Sequence, residues 1–438
     1  MFRSPSSVRR LACRASFLLL CVLPTLGVGA WIVVWRLPSH RRDYERAIGY
    51  ELGLEVRLEE AAHPRPGLTV LKGLRATEQE TGQVVLQADE IKAASNGVGL
   101  VVVAAGAKID AAALAEVWQA AERALSRRPA EPSSPVRILA NELFLQWPDR
   151  QVALSSVVGR IETLDAGPQA SMEWRTAETS TVQSPRITLF RDRQGGLPRA
   201  GFELDTGDAP LDLSLLSPAV PVEEWIGPRA RFHGYVWARR GEHGWNGLLR
   251  GELADIDLAT LVANHVPHDL RGSARVQVYE AQFRESRLVD AAGLIEGGPG
   301  FVSQSFLQAI ADSLQMSTRA RDGEFPRAIL PFDLLAAEFS LGAEGLSLTG
   351  RCHDQPAGTV IADGRKSMLD EPASQPQPIA GLAKLFATPN DPVVPLNPYA
   401  RGLLDLLPGQ PVREQRRTAD RFQRDENSDP PRLDDERP

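Results

Sequence analysis

The sequence predicts a mainly β (α+β) fold, in which an N-terminal transmembrane helix precedes a long antiparallel sheet, curled or trough-shaped, with a few packed helices. Three observations support this: one long uncharged apolar run, period-two alternation through most of the chain, and helical periodicity at few places. The chain has 438 residues, a formal charge of −7 and three cysteines; its mean hydropathy is −0.21. These values exclude a multi-pass membrane protein, a basic nucleic-acid-binding protein and a disulfide framework.

The run Ala15–Trp35 contains 21 residues without a charge. As an α-helix it would be about 30 Å long at about 1.5 Å per residue, which matches the hydrocarbon thickness of a bilayer. Four arginines precede the run and three follow it closely, so the more basic N-terminal flank predicts a cytoplasmic N-terminus. The side chains that represent this anchor are Phe17, Leu20, Val28, Trp31 and Trp35.

A cleaved signal peptide is the competing interpretation of the same run. Val28-Gly29-Ala30 supplies the small residues that a cleavage site needs. The apolar residues nevertheless continue to Trp35, beyond the length of a usual signal core, which favours a retained anchor. Both interpretations send the remainder of the chain out of the cytoplasm.

Changes in composition divide the chain into five predicted regions. Proline and serine cluster after Arg128, prolines recur from Glu371 onward, and the C-terminal tail is too charged to offset its ordering entropy. The regions are 1–36 (cytoplasmic N-terminus and transmembrane anchor), 37–126 (N-terminal β region with a helix), 127–370 (β-groove region), 371–412 (proline-rich arm with short helices) and 413–438 (disordered charged tail).

Most of the chain after the anchor alternates between apolar and polar residues, as half-buried strands do. The segment Leu52–Glu59 shows the pattern clearly, with its leucines and its valine on one side. About fifteen such segments predict a sheet with one apolar face, too large for the expected helices to cover. The sheet therefore either closes on itself or curls into an apolar trough. The residues expected to line such a groove are Leu54, Val56, Leu58, Trp245, Leu249, Leu253, Val276 and Val278.

Helical periodicity is convincing at two places. Asp110 is positioned to cap a helix whose apolar residues fall on one stripe. A second helix is expected to begin near Ser303, after a glycine-rich turn. A short third helix is expected over Leu258–Asn264, with Asp257 as its N-cap.

Motifs that carry chemistry are scarce. His265 and His268 have a spacing that suits two metal ligands on a turn, and Cys352-His353-Asp354 offers three ligand types in sequence. A solvated loop and a strand end are the preferred interpretations, because adjacent strand residues point to opposite faces. The sequence therefore predicts no enzyme, no catalytic or metal-binding residues and no cofactor. A metal site at these residues, or a hydrolase with an unrecognised site, is the weaker alternative.

The order of several short motifs is similar to that of the AsmA-like family of envelope proteins, relatives of TamB and the repeating β-groove lipid-transfer proteins. The motifs follow the membrane run in the order expected for that family, over most of residues 15–365, and the match is looser between about 165 and 225. They are Ile48–Glu60, Pro66–Leu68, Leu71–Leu74, Glu80–Gly82, Leu86–Ile91, Gly247–Leu261, Leu270–Val276, Gly297–Ser305 and Leu346–Arg351.

This resemblance implies a bacterial inner-membrane protein with a single pass and a C-terminal body in the periplasm. It makes residues 127–370 an AsmA-like β-groove, with membrane lipids and other envelope proteins as partners and no nucleic acid. The expected role is to bind or transfer lipids, or to assist assembly of the outer membrane and envelope. The alternative is a non-catalytic periplasmic interaction scaffold with a closed β core.

Overall fold

The computed structural model describes residues 14–27, 29, 38–95, 97–128, 134–176, 183–193, 198–216, 222–263, 268–318, 328–364 and 366–379. The protein is mainly β, as the alternation predicts. It divides into two units, Met1–Gly241 and Glu242–Pro438. The predicted helices of the proline-rich arm and the predicted disordered tail lie outside the described residues.

Residues 14–27 form a helix that includes a π-helical turn over Leu18–Val22. Its apolar side chains are exposed, Phe17 by 60% and Leu20 by 70%. Within the described part of the chain, no helix has both the length and the apolar character to cross a membrane. Of the remaining anchor residues, Val28, Trp31 and Trp35 lie outside the described ranges. The transmembrane anchor therefore stays a prediction.

The described residues of the first unit contain thirteen strands and, after the helix over residues 14–27, three further helices. Its helices are α1 (Pro38–Leu52), α2 (Leu114–Arg127) and α3 (Val222–Ile226), with 3₁₀ turns at Ala111–Ala113 and Leu213–Leu216. Its strands are β1 (Glu55–Arg57), β2 (Glu60–Arg65), β3 (Leu68–Thr77), β4 (Val84–Ser95), β5 (Leu100–Ala105), β6 (Ala107–Asp110), β7 (Val136–Gln146), β8 (Gln151–Leu164), β9 (Gly167–Arg175), β10 (Arg186–Asp192), β11 (Arg199–Asp205), β12 (Leu211–Asp212) and β13 (Arg231–Arg240).

The sheet of the first unit is mixed. Strands β1 and β2 pair with one edge of β3, β4 pairs with the other edge, and β5 and β6 pair in succession with β4. The order continues through β7, β8, β9, β10 and β11, and β13 pairs with both β11 and β12. Most of its pairings are antiparallel, as expected, but β5 and β6 both run parallel to β7, which the strand pattern does not predict. Helix α2 makes the crossover connection that such pairing requires.

The predicted boundary near residue 127 adjoins the proline- and serine-rich segment after Arg128. This segment lies in sequence between α2 and β7, and β7 pairs in parallel with β5 and β6 of the preceding predicted region. The two compact units meet in sequence between Gly241 and Glu242, and the division into five regions stays a prediction.

Helix α1 was not predicted, and it shortens the strand expected over Leu52–Glu59 to three residues. The helix ends at Gly53, whose φ of +67° is readily adopted by glycine. The N–H groups of Gly53 and Leu54 both donate to the Gly49 carbonyl, at 2.8 and 3.2 Å. This turn reverses the chain, so Leu52 lies on the helix while Leu54 leads into the sheet.

The second unit has eleven strands within its described residues. Its helices are α4 (Leu258–Ala263) and α5 (Gln304–Leu314). Its strands are β14 (Trp245–Asp257), β15 (Leu270–Arg271), β16 (Ser273–Arg284), β17 (Arg287–Gly297), β18 (Gly300–Ser303), β19 (Met316–Thr318), β20 (Ile329–Phe332), β21 (Leu334–Gly342), β22 (Gly345–Gly350), β23 (Thr359–Asp363) and β24 (Lys366–Pro372).

The larger sheet of this unit is antiparallel in its pairings. Its order is β14, β16, β17 and β21; β22 and β23 then share the next edge of β21, followed by β24 and β19. A small sheet of β15, β18 and β20 lies apart from these pairings. Helix α5 packs on β18, β19 and β24 and buries Phe306, Leu307 and Leu314.

Capping bonds confirm the predicted helix starts at Asp257 and Ser303, whereas Asp110 caps the 3₁₀ turn Ala111–Ala113 that precedes α2, and α2 itself has no side-chain cap. The Ala112 N–H donates to Asp110 Oδ1 at 2.9 Å, and the Ala259 N–H donates to Asp257 Oδ1 at 2.9 Å. At α5 the Phe306 N–H donates to Ser303 Oγ at 3.3 Å. Each side chain satisfies an amide that the helix itself leaves without an acceptor.

Candidate functional site

The candidate site is one face of the larger sheet in the second unit. Residues that pair directly across a sheet point to the same side, so the register identifies every side chain on this face. Leu253 pairs with Val276, Val276 pairs with Ile295, and Ile295 pairs with Ala337. One continuous row of apolar side chains therefore crosses β14, β16, β17 and β21.

A second row runs beside the first and extends it to a fifth strand. Gly251 pairs with Val278, Val278 with Gly293, Gly293 with Phe339, and Phe339 with Leu348 on β22. A Cβ built on Gly293 would lie 2.8 Å from the Phe339 ring, so the ring covers a position that a larger side chain could not share. Glycine at position 293 therefore leaves the space that the Phe339 ring occupies on this face.

A bulge in β16 preserves the apolar face over its whole length. Between Val278 and Glu280 the register with β17 shifts by one residue, and Tyr279 is the extra residue. The alternation of β16 therefore changes parity, and Ala281 joins the same face as Val278, opposite Leu249. Without this bulge Glu280 would point into the apolar row.

The opposite face of the sheet is polar and carries cross-strand ion pairs. Arg275 Nε lies 3.1 Å from Glu252 Oε1. Arg250 pairs with Glu280, and Arg351 pairs with Glu338. The amide of Gln282 and the guanidinium of Arg250 donate to Glu280 and hold the pKa of that carboxyl below its usual value. One face of the sheet is thus apolar and the other is charged, so an apolar ligand would bind to the apolar face.

Five of the eight predicted lining residues lie together on the apolar face. Each of them is half-buried, so each side chain keeps some accessible apolar surface. They are Trp245, Leu249, Leu253, Val276 and Val278.

The other three predicted lining residues lie in the first unit and do not line an open groove. Leu54, Val56 and Leu58 are 4–6% exposed and pack with Leu71 and Leu74 of β3. Partly buried side chains of α1 and α2 cover the same cluster, and Leu54 and Val56 also border a cavity between these two helices. The physical reason is α1, which the strand pattern did not predict.

Sequence reasoning missed several members of the face, because strand pairing and register are non-local. The half-buried residues that the register adds are Phe283, Ile295, Phe339 and Leu348. Period-two alternation placed Phe339 and Leu348 on predicted strands, and that signal could have identified them as lining residues. Their neighbours across the sheet could not be known.

Among the described residues, the weaker metal candidates do not form a cluster of ligands. Cys352 is buried, its Sγ donates to the Val360 carbonyl at 3.3 Å, and burial raises the pKa of its thiol. The next two residues are exposed on a turn where Asp354 has a φ of +58°. His268 Nδ1 hydrogen-bonds with Ser305 Oγ at 3.1 Å, and His265 lies outside the described residues. Within the described ranges, no three histidine, cysteine or carboxylate side chains are grouped for a metal ion.

Comparisons with protein-family models, with curated proteins and with solved structures give no significant match for this chain.

Proposed function

We propose that the protein is a single-pass envelope protein of the bacterial inner membrane, whose periplasmic second unit binds acyl chains of lipids along the apolar sheet face. The observation that carries this proposal is the apolar sheet face made of two adjacent rows, one across four strands and one across five, with ion pairs on the opposite side. The chain would take part in lipid transfer or in envelope assembly, in the manner that the resemblance to the AsmA-like family implies.

Energetics favour such a role for an apolar sheet face. An acyl chain in water costs about 0.8 kcal/mol per CH₂, or on the order of 10 kcal/mol for a whole chain. Leu253, Val276 and Ile295 offer apolar surface in one row, and an elongated chain lying along the row would leave most of its length out of water. The face thereby lowers the barrier for a lipid outside the bilayer.

The N-terminal helix supports the membrane location. Its apolar side chains, Phe17 and Leu20 among them, are exposed over residues 14–27. Exposed leucines in such number are unfavourable in water and favourable in a bilayer. A retained anchor would hold the second unit near the lipids that it binds.

Site-specific photocrosslinking tests the proposal. A benzophenone amino acid replaces Val276 in the full chain, which is expressed in bacterial membranes and irradiated. The matched control carries the same group at Gln277, the next residue, which is exposed on the polar face. We expect lipid adducts by mass spectrometry at Val276 and at Leu249, and few at Gln277. Equal yields at both faces, or no lipid adduct at Val276 and Leu249, would refute lipid binding.

The second candidate is an interaction scaffold with a closed β core. The buried cluster of Leu54, Val56 and Leu58 favours it, because that part of the first unit offers no groove. In the crosslinking experiment this candidate predicts protein adducts at Val276 in place of lipid adducts.

A further inference from the structure

A cavity of about 750 Å³ lies in the first unit, between α1, α2 and the start of β1. Four arginines line it, two from each helix: Arg42 and Arg46 from α1, and Arg123 and Arg127 from α2. Within each pair the spacing is i, i+4, which places both guanidinium groups on one helix face. Like charges at this spacing repel and slightly destabilise a helix, so an anion bound between the two pairs would be favourable.

Most of these arginines have no carboxylate partner among the described residues. Arg46 pairs with Asp43 at 2.5 Å. Within the described part of the chain, Arg42, Arg123 and Arg127 form no ion pair. Arg123 Nε is buried and has no hydrogen-bond acceptor in that part, and the Arg127 guanidinium lies 4.2 Å from the centre of the Tyr50 ring. The cavity therefore presents positive charge that the protein itself does not neutralise.

The two glutamates that also line the cavity are already engaged. Glu45 accepts the Leu58 N–H at 2.9 Å and lies 3.4 Å from Arg41. Glu55 accepts from the guanidinium of Arg57 at 2.8 Å. Four arginines and two glutamates therefore line the cavity, which leaves an excess of positive charge, and neither glutamate forms an ion pair with a lining arginine.

Glycine at position 53 makes room for the deepest arginine. Gly53 has a φ of +67°, and a Cβ added to it would lie 2.7 Å from Arg123 Nε. The turn that ends α1 therefore also lets the Arg123 side chain lie against the backbone at the wall of the cavity. The arginine is held in place without an acidic partner.

From this geometry we propose that the cavity binds a phosphate group, held by Arg42, Arg123 and Arg127. Guanidinium groups match phosphate oxygens in charge and in donor geometry, and the volume accommodates a phosphate with a small attached group such as glycerol. The phosphate belongs either to an anionic lipid headgroup or to a soluble ion. Arg42 follows the end of the predicted membrane run by seven residues, at most about 25 Å of extended chain, which favours the headgroup.

This proposal is independent of the apolar face, because the cavity lies within the first unit. The test uses the full chain in dodecyl maltoside, which contains no phosphate. One arm titrates inorganic phosphate, followed by ³¹P NMR line broadening. A second arm measures binding to nanodiscs of phosphatidylcholine with and without phosphatidylglycerol. The variants are the double substitution Arg42→Gln/Arg127→Gln, at two exposed side chains, and the matched control Arg75→Gln, an exposed arginine of the same unit outside the cavity.

We expect saturable binding that the double variant weakens about 10-fold or more, since charge-assisted hydrogen bonds are the strong ones, while Arg75→Gln changes it less than twofold. Binding dependent on phosphatidylglycerol identifies a headgroup as the source, and binding of inorganic phosphate alone identifies a soluble ion. Circular dichroism melting verifies that both variants stay folded. Absence of saturable binding in both arms, or equal weakening by Arg75→Gln, overturns the proposal.

Discussion

Truncation of two leucines in the second unit would distinguish an accessible apolar face from a closed core. Leu307 on α5 is fully buried, with 0% exposure, whereas Leu249 on β14 is half-buried on the apolar face. Leu307→Ala removes apolar contacts and leaves a cavity, and it is expected to cost about 3–5 kcal/mol. Leu249→Ala is expected to cost only about 1–1.5 kcal/mol, the free energy of burying the apolar groups that it removes. A partly accessible site leaves no enclosed void, so no cavity cost is added.

The comparison is made by urea unfolding of the full chain in detergent, followed by tryptophan fluorescence and circular dichroism. Both residues belong to the same unit, so they report on the same unfolding transition. A loss at Leu249 that equals the loss at Leu307 would show that the face is packed shut, and the reasoning for a lipid-binding face would fail. A loss at Leu249 below half of that at Leu307 agrees with an accessible face.

Three further predictions concern local features. Asp257→Ala removes the N-cap of α4 and is expected to destabilise the second unit by about 1 kcal/mol in urea unfolding, whereas Asp257→Asn keeps the cap and most of the stability. Burial lowers the pKa of His268 below its usual 6.5, so the folded protein keeps this side chain neutral and loses stability as the pH falls below 6.5. In His268→Gln the pH dependence of the free energy of unfolding should diminish in this window. An unchanged pH dependence would contradict the assignment. Gly106→Ala is expected to lower the melting temperature of the first unit, because Gly106 has a φ of +62° and the added Cβ would lie 2.0 Å from the Asp89 carboxylate. An unchanged melting temperature would show that the turn relaxes without cost.

Local signals allowed the best predictions. The caps at Asp110, Asp257 and Ser303 could be located because a capping side chain and the amide that it accepts lie two or three residues apart. Helix α1 was missed because its stripe of Tyr44 and Ile48 is short and lies among charged residues. Without α1, the buried residues Leu54, Val56 and Leu58 were predicted to line a groove.

Non-local pairing accounts for the other differences. Strands β5 and β7 pair in parallel although α2 lies between them in sequence, and no pattern within either strand indicates that direction. The bulge at Tyr279 changes which residues of β16 share a face, and it depends on the partner strands. The same dependence hid the cavity, because its arginine pairs meet only when α1 and α2 pack near each other.

The sequence by itself determined the mainly β class, the exposed apolar helix at the N-terminus, the helix starts and five of the side chains on the apolar face. These properties follow from the spacing of residues along the chain, which sets the period of each element and the chemistry of its ends. The tertiary structure alone decided that Leu54 and Val56 are enclosed while Val276 and Leu249 share one face, and that four arginines surround one cavity. Those outcomes depend on register and on helix packing, which join residues far apart in sequence.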